Sequence, residues 1–136
     1  FETGKCKVDD DMQPLYAKME WADAIIFGSP VYFHGYTAQA KAIIDRTFCY
    51  LRKHPLKGKV AAPLLTLRKV GGGQTRVHLY GWFLSQGMVP VRGGMGYGRE
   101  KGDVNTGEGA NIGMTAMDEA HATAAEVMDM VKKLVP

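Results

Sequence analysis

Cysteine is scarce in this chain: Cys6 and Cys49 are the only two in 136 residues. Two thiols cannot build the disulfide framework of a small secreted domain, so a reducing cytoplasm is the expected location. Long apolar runs are lacking as well. No stretch approaches the ~20 residues that a membrane helix needs, and no membrane partner is expected. Neither sign of charge dominates, since 17 lysines and arginines face 14 aspartates and glutamates for a formal net charge of +3. The densest basic group, Arg52, Lys53, Lys57 and Lys59, is too sparse to predict a nucleic-acid partner. A small anionic ligand suits this balance equally well. The four histidines, His34, His54, His78 and His121, show no metal-ligand spacing, and no metal site is expected. No sequence repeats internally. The chain opens on Phe1 without an initiator methionine or a signal-peptide pattern, and we expect an N-terminal piece to be missing.

What is present is a regular alternation of strands and helices within one domain, residues 1–136. Asp9-Asp10-Asp11 supplies a helix start, and Met12, Leu15, Tyr16 and Met19 recur at helical spacing. Asp23 to Gly28 reads as a buried strand and Thr37 to about Leu51 as a helix. Lys59 to Leu67 reads as a second strand, with Pro63 requiring a bulge or a non-bonded position. Gln74 to Gln86 reads as a helix, Met88 to Arg92 as a third strand, and Thr115 to Leu134 as a closing amphipathic helix. Gly93 to Gly113 reads as an irregular glycine-rich segment, a lid or an oligomer contact, with simple disorder the competing reading. Its GGMGYG is no dinucleotide fingerprint, because no helix follows at the required distance and no ribose-binding acid is correctly spaced. The pattern predicts an α/β fold with a parallel sheet between helices.

Two connections stand out. Pro30-Val31-Tyr32-Phe33-His34-Gly35 follows the first strand with a rigid corner, free amides and flat side chains. Gly71-Gly72-Gly73 follows the second strand and precedes a helix, where glycines let backbone approach a ligand closely. Alone, each has a plain alternative, a packed turn for the first and a flexible connector for the second. Together they are predicted to lie on one edge of the sheet, where open α/β folds bind their ligands.

The segment IIFGSPVYFHGYTAQAKAIIDR resembles the signature of the NADPH-dependent FMN reductase and iron–sulfur flavoprotein group of the flavodoxin-like superfamily. GKCKVDDDMQPLYAKMEWAD, LKGKVAAPLLTLRKVGGGQT and LSQGMVPV resemble the segments around it, so the likeness covers nearly the whole chain. It implies a flavodoxin-like three-layer fold, a parallel sheet with helices on both faces, and FMN at the strand ends. Pro30, Val31, Tyr32, Phe33, His34 and Gly35 would border the isoalloxazine ring and ribityl chain. Thr66, Leu67, Arg68, Gly71, Gly72 and Gly73 would border the ring from the neighbouring loop. No side chain is assigned an acid–base role. The implied activity is an FMN-dependent oxidoreductase that takes a hydride from NAD(P)H, and the alternative is electron exchange with a ferredoxin-like partner. A homo-oligomer is implied for both. The family's first strand, phosphate loop, first helix and second strand have no counterpart here. Its activity therefore belongs to a longer polypeptide or to an assembly that supplies the missing half. Cys6 resembles the last cysteine of the iron–sulfur members' cluster motif, and a cluster is implied only if further cysteines lie upstream. Ser85-Gln86 stands where related quinone reductases carry a histidine pair.

Overall fold

The computed structural model describes residues 4, 6–100, 103 and 108–134. Helix α1 (Met12–Trp21) leads into strand β1 (Ala24–Tyr32), the two-residue strand β2 (Gly35–Tyr36) and helix α2 (Ala38–Arg46). A 3-10 turn, Thr47–Tyr50, extends α2. Strand β3 (Val60–Leu67), helix α3 (Gly72–Ser85), strands β4 (Val89–Pro90) and β5 (Gly94–Tyr97) and helix α4 (Ala116–Leu134) follow. No helix among the described residues is long and apolar enough to cross a membrane.

β3 organises the sheet. It runs parallel to β1 from the pair Ala24–Val60 to the pair Pro30–Thr66. On its other side it pairs parallel with β4 at Val60 and Ala61, then with β5 from Leu64 to Leu67. Pro63 falls between those two short ladders, so its missing N–H removes no bond on that side. Of the two positions the sequence allowed for this proline, the non-bonded one is realised. β2 folds back antiparallel on the end of β1.

Both faces of β3 are covered, which explains its continuous apolar sequence. Ala61, Leu65 and Leu67 pack with Met12, Tyr16 and Met19 of α1 and with Leu79, Trp82 and Phe83 of α3. Val60 and Ala62 face Val127 of α4 on the opposite side. Fully buried side chains such as Leu65, Leu79 and Phe83 each contribute about 1.5–3 kcal/mol.

The predicted boundaries shift in instructive ways. β1 continues four residues beyond Gly28, through Ser29 and Pro30 to Tyr32. Among the described residues, only β3 pairs with β1 before Val31, and proline is tolerated on such an edge. Asp11 immediately precedes α1 without a side-chain cap of its own, and Asp10 Oδ1 accepts the Met12 N–H at 3.1 Å. α3 begins at Gly72, taking Gly72 and Gly73 into its first turn. The segment predicted as irregular from Gly93 opens instead with β5, whose Gly94, Met95 and Gly96 are buried. Its glycines serve packing. A Cβ on Gly94 would lie 2.6 Å from Thr123 Oγ1, and one on Gly96 would lie 2.5 Å from Ala116 Cβ. α4 thus rests directly on the β5 backbone.

Candidate functional site

The carboxyl ends of β1, β3 and β5 lie side by side, because the register places Pro30 beside Thr66 and Leu67 beside Tyr97. A cavity of about 580 Å³ opens there, within the usual size range of small-molecule sites. Its floor and one wall come from the ends of β1 and β3. Residues 96–100, Asp103 and the first turns of α4 (Ala116, Met117, Ala120) form the opposite wall.

The turn after β1 is built tightly. Tyr32 pairs with Gly35, leaving only Phe33 and His34 between the strands. Both adopt positive φ, 49° and 66°. A two-residue hairpin of this hand ordinarily calls for asparagine or glycine. Each non-glycine residue held there costs about 1–2 kcal/mol, the kind of strain that folds retain at functional positions. The strain displays rather than buries the aromatics: Phe33 is wholly exposed and Tyr32 is 64% exposed. Ser29 anchors the turn from below. Its hydroxyl accepts the Thr37 N–H at 3.1 Å and donates to Pro30 O at 2.8 Å. Thr37 in turn caps α2, accepting from Ala40 N.

The glycine turn closes against this hairpin. Gly71 has φ 94°, and a Cβ there would stand 2.7 Å from His34 Cα and 3.2 Å from Val31 Cγ1. Gly72 is closed in by Met95 and Leu67, whereas Gly73 faces open space. Among the described residues no side chain caps the start of α3, so its first N–H groups are open to an acceptor.

The structure therefore brings the two predicted turns to one rim. Pro30, Val31, Tyr32, Thr66, Leu67 and Arg68 line the cavity itself. Phe33, His34, Gly35, Gly71, Gly72 and Gly73 do not; they form the adjoining shoulder. The far wall, Gly96 to Glu100 with Asp103 and Met117, went unpredicted. The available signal was the parallel alternation, which demands a strand before α4 and hence a loop on this same edge. Asp103 shapes that loop, its carboxylate accepting the N–H groups of Arg99 at 2.7 Å and Glu100 at 2.9 Å. Those bonds, the Glu100 N–H foremost, hold its carboxyl below the ordinary range.

A second cluster surrounds Cys6. Arg46 Nη2 donates to Cys6 Sγ at 3.4 Å and to Asp10 Oδ1 at 3.0 Å. The Val8 N–H and then Arg46 lower the Cys6 pKa. The Tyr16 hydroxyl donates to Arg46 O at 2.8 Å, and burial above all pushes its pKa up to about 12. Among the described residues, no group of three or more histidine, cysteine, aspartate or glutamate side chains is placed to hold a metal. The described residues around Cys6 therefore do not by themselves supply the ligands of an iron–sulfur cluster.

The fold is flavodoxin-like. A flavodoxin, WrbA-like protein of Agrobacterium tumefaciens superposes on 88% of this chain and 72% of its own, with TM-score 0.69 and 20% identity. Residues 1–100 match the family described as NADPH-dependent FMN reductase, and the chain belongs to that family. An iron-sulfur flavoprotein of Methanosarcina thermophila is 34% identical over 131 residues, covering 94% of this chain and 68% of that one. An NAD(P)H quinone oxidoreductase of Candida albicans is 33% identical over 101 residues, 73% of this chain and 44% of that relative.

Proposed function

We propose that the protein is an FMN-dependent oxidoreductase, with the flavin ring seated where the proline-aromatic turn and the triple-glycine turn meet. The observation that carries this is the contact of Gly71 with His34 beside a cavity at the strand ends, in a chain of the FMN reductase family. The residues present suit a flat ring. Tyr32 and Phe33 offer exposed aromatic surface, and burying it under a ring would recover apolar area at about 25 cal/mol per Å². The uncapped N–H groups of α3 can donate to the polar edge of a pyrimidine-like ring, and Gly73 leaves room for close approach. Pro30 and Leu67 supply apolar floor.

FMN, when bound, supplies the hydride chemistry, taking two electrons from NAD(P)H and passing them to an acceptor. The chain's own residues then bind, orient and exclude water; none is needed as acid or base. The relatives named iron-sulfur flavoproteins favour a second reading, in which electrons are exchanged with a ferredoxin-like protein. A homo-oligomer completing the pocket fits both readings.

The test is to load the full-length protein with FMN and follow its absorbance anaerobically. Bleaching by NADPH or NADH supports the reductase reading. Bleaching by reduced ferredoxin alone selects the second, and no flavin uptake refutes both.

A further inference from the structure

The far end of α3 borders a second cavity. Gly72 opens the helix beside the strand-end cavity, and Ser85 closes it after 14 residues, about 20 Å away. There the last turn of α3 faces the end of α2 and the 3-10 turn that extends it, around a space of about 540 Å³. No lining residue is shared with the strand-end cavity. Ile44, Phe48, Leu51 and Trp82 supply apolar and aromatic walls. Asp45 is the one charged residue in the lining, and it pairs with Lys41 across one exposed turn of α2. Exposed pairs of this kind are weak.

The polar atoms of the pocket are of one kind. Gln86 is 2% exposed, and its Nε2 donates to Thr47 O and to Thr47 Oγ1, each at 3.3 Å. A flipped amide would set oxygen against the Thr47 carbonyl, so the orientation is fixed. Among the described residues, the buried Gln86 Oε1 then has no donor. The Thr47 hydroxyl is fully used: it donates to Ile44 O at 2.6 Å and accepts from Trp82 and Gln86. Ser85 Oγ donates to Trp82 O at 2.8 Å and keeps its lone pairs.

A buried acceptor without a partner is unfavourable until a donor reaches it. The pocket offers only acceptors, namely Gln86 Oε1, the Ser85 hydroxyl oxygen and the Asp45 carboxylate, set in apolar walls. It also lies at the carboxyl end of α3, where the helix dipole favours a cation. We propose that this pocket binds a primary ammonium carrying an aromatic body, with Gln86 Oε1 accepting one of its N–H groups. Asp45 supplies the opposite charge, and Phe48 and Trp82 offer ring surface to the body and to the cation. A carboxylate or phosphate is refused, because no described side chain of the lining carries a positive charge or an uncommitted donor. The site is independent of the flavin reading.

The experiment titrates the full-length protein with phenethylammonium, phenethyl alcohol and hydrocinnamate, by calorimetry and ligand-observed NMR, with and without saturating FMN. The ammonium should bind at millimolar concentration or below, the alcohol about tenfold more weakly, and the carboxylate not measurably. FMN should leave the ammonium's affinity unchanged, which separates this pocket from the strand-end cavity. Gln86→Met keeps the length and removes the acceptor, and should weaken binding about tenfold. Leu51→Trp fills the exposed mouth without touching the buried amide, and should abolish binding while the circular dichroism stays that of wild type. Should Gln86→Met fail to fold, or the protein take up no FMN, Leu51→Trp decides alone. Absence of ammonium binding, equal binding of the three probes, displacement by FMN, or binding that survives Leu51→Trp overturns the assignment.

Discussion

Gly71 and His34 are locked together: a single methyl group on the glycine would intrude to 2.7 Å from the histidine's Cα. The neighbour is backbone, held in a strained left-handed turn, so it cannot rotate away as a flexible side chain would. The triple-glycine turn and the aromatic hairpin therefore behave as one unit, and disturbing either moves both.

Gly71→Ala tests this directly. The substitution meets both the close contact and the φ of 94°, which alanine adopts at a cost of about 1–2 kcal/mol before any clash. We expect thermal unfolding to drop by several degrees and FMN uptake to fall with it. Unchanged stability and unchanged uptake would show that the turns are independent.

Gly73→Ala makes the opposite prediction for stability. Nothing lies within 4 Å of the added methyl, and the position is within the first turn of α3. Alanine in a helix gains up to about 1 kcal/mol over glycine. Calorimetry of the flavin-free protein should show equal or higher stability. FMN titration should nonetheless show weaker binding, because the methyl occupies space the ring is proposed to use. Tighter or equal FMN binding would move the ring away from this shoulder.

The sequence displayed the strand–turn–helix units well where their chemistry is local. Thr37 announces the start of a helix, and its side chain caps α2 by accepting the Ala40 N–H, whereas β1 runs past the expected stop at Gly28 to Tyr32. What escaped was long-range. Gly94-Met95-Gly96-Tyr97 has poor strand propensity, and its glycines read as irregular chain. They are required by α4, a partner that arrives some twenty residues later and presses its backbone and side chains onto the strand. With β5 unread, the far wall of the cavity was invisible too. Gly93 carries the same lesson: its Cβ would stand 2.1 Å from Pro63 O, a contact across the sheet that no local pattern encodes. Gly93→Ala should prevent stable folding, with circular dichroism and proteolysis as the readout.

Thr47 joins α2 to α3 through one buried hydroxyl. Its Oγ1 accepts from Trp82 Nε1 at 2.9 Å and from Gln86 Nε2 at 3.3 Å. Thr47→Val keeps the shape and removes the acceptor, leaving the buried Trp82 Nε1 donor unsatisfied while Gln86 Nε2 keeps the Thr47 carbonyl at 3.3 Å. Such a donor costs about 1–3 kcal/mol, and denaturant unfolding should report a loss of that size. Thr47→Ser retains the hydroxyl and should lose about 1 kcal/mol, mostly packing. Similar losses for the two variants would mean the hydrogen bonds contribute little.

The acid limb of stability offers a last test, on the Arg46 cluster. Arg46 foremost, and then the Met12 N–H, hold the Asp10 carboxyl below its ordinary range. The unfolded chain binds its proton near pH ~3.9, and the folded chain resists until lower pH. Asp10 therefore favours folding at every pH above the unfolded value, and that contribution disappears as pH falls through the folded one. The group is exposed, so the effect is modest and shrinks in salt. Asp103 and Asp118 shift in the same direction through backbone N–H bonds, and Asp10→Asn should flatten the acid limb only in part. Melting temperatures measured from pH 2 to pH 7 should converge for wild type and variant at the acid end and separate above about pH 4. Curves that run parallel throughout would exclude a native-state pairing of Asp10 with Arg46.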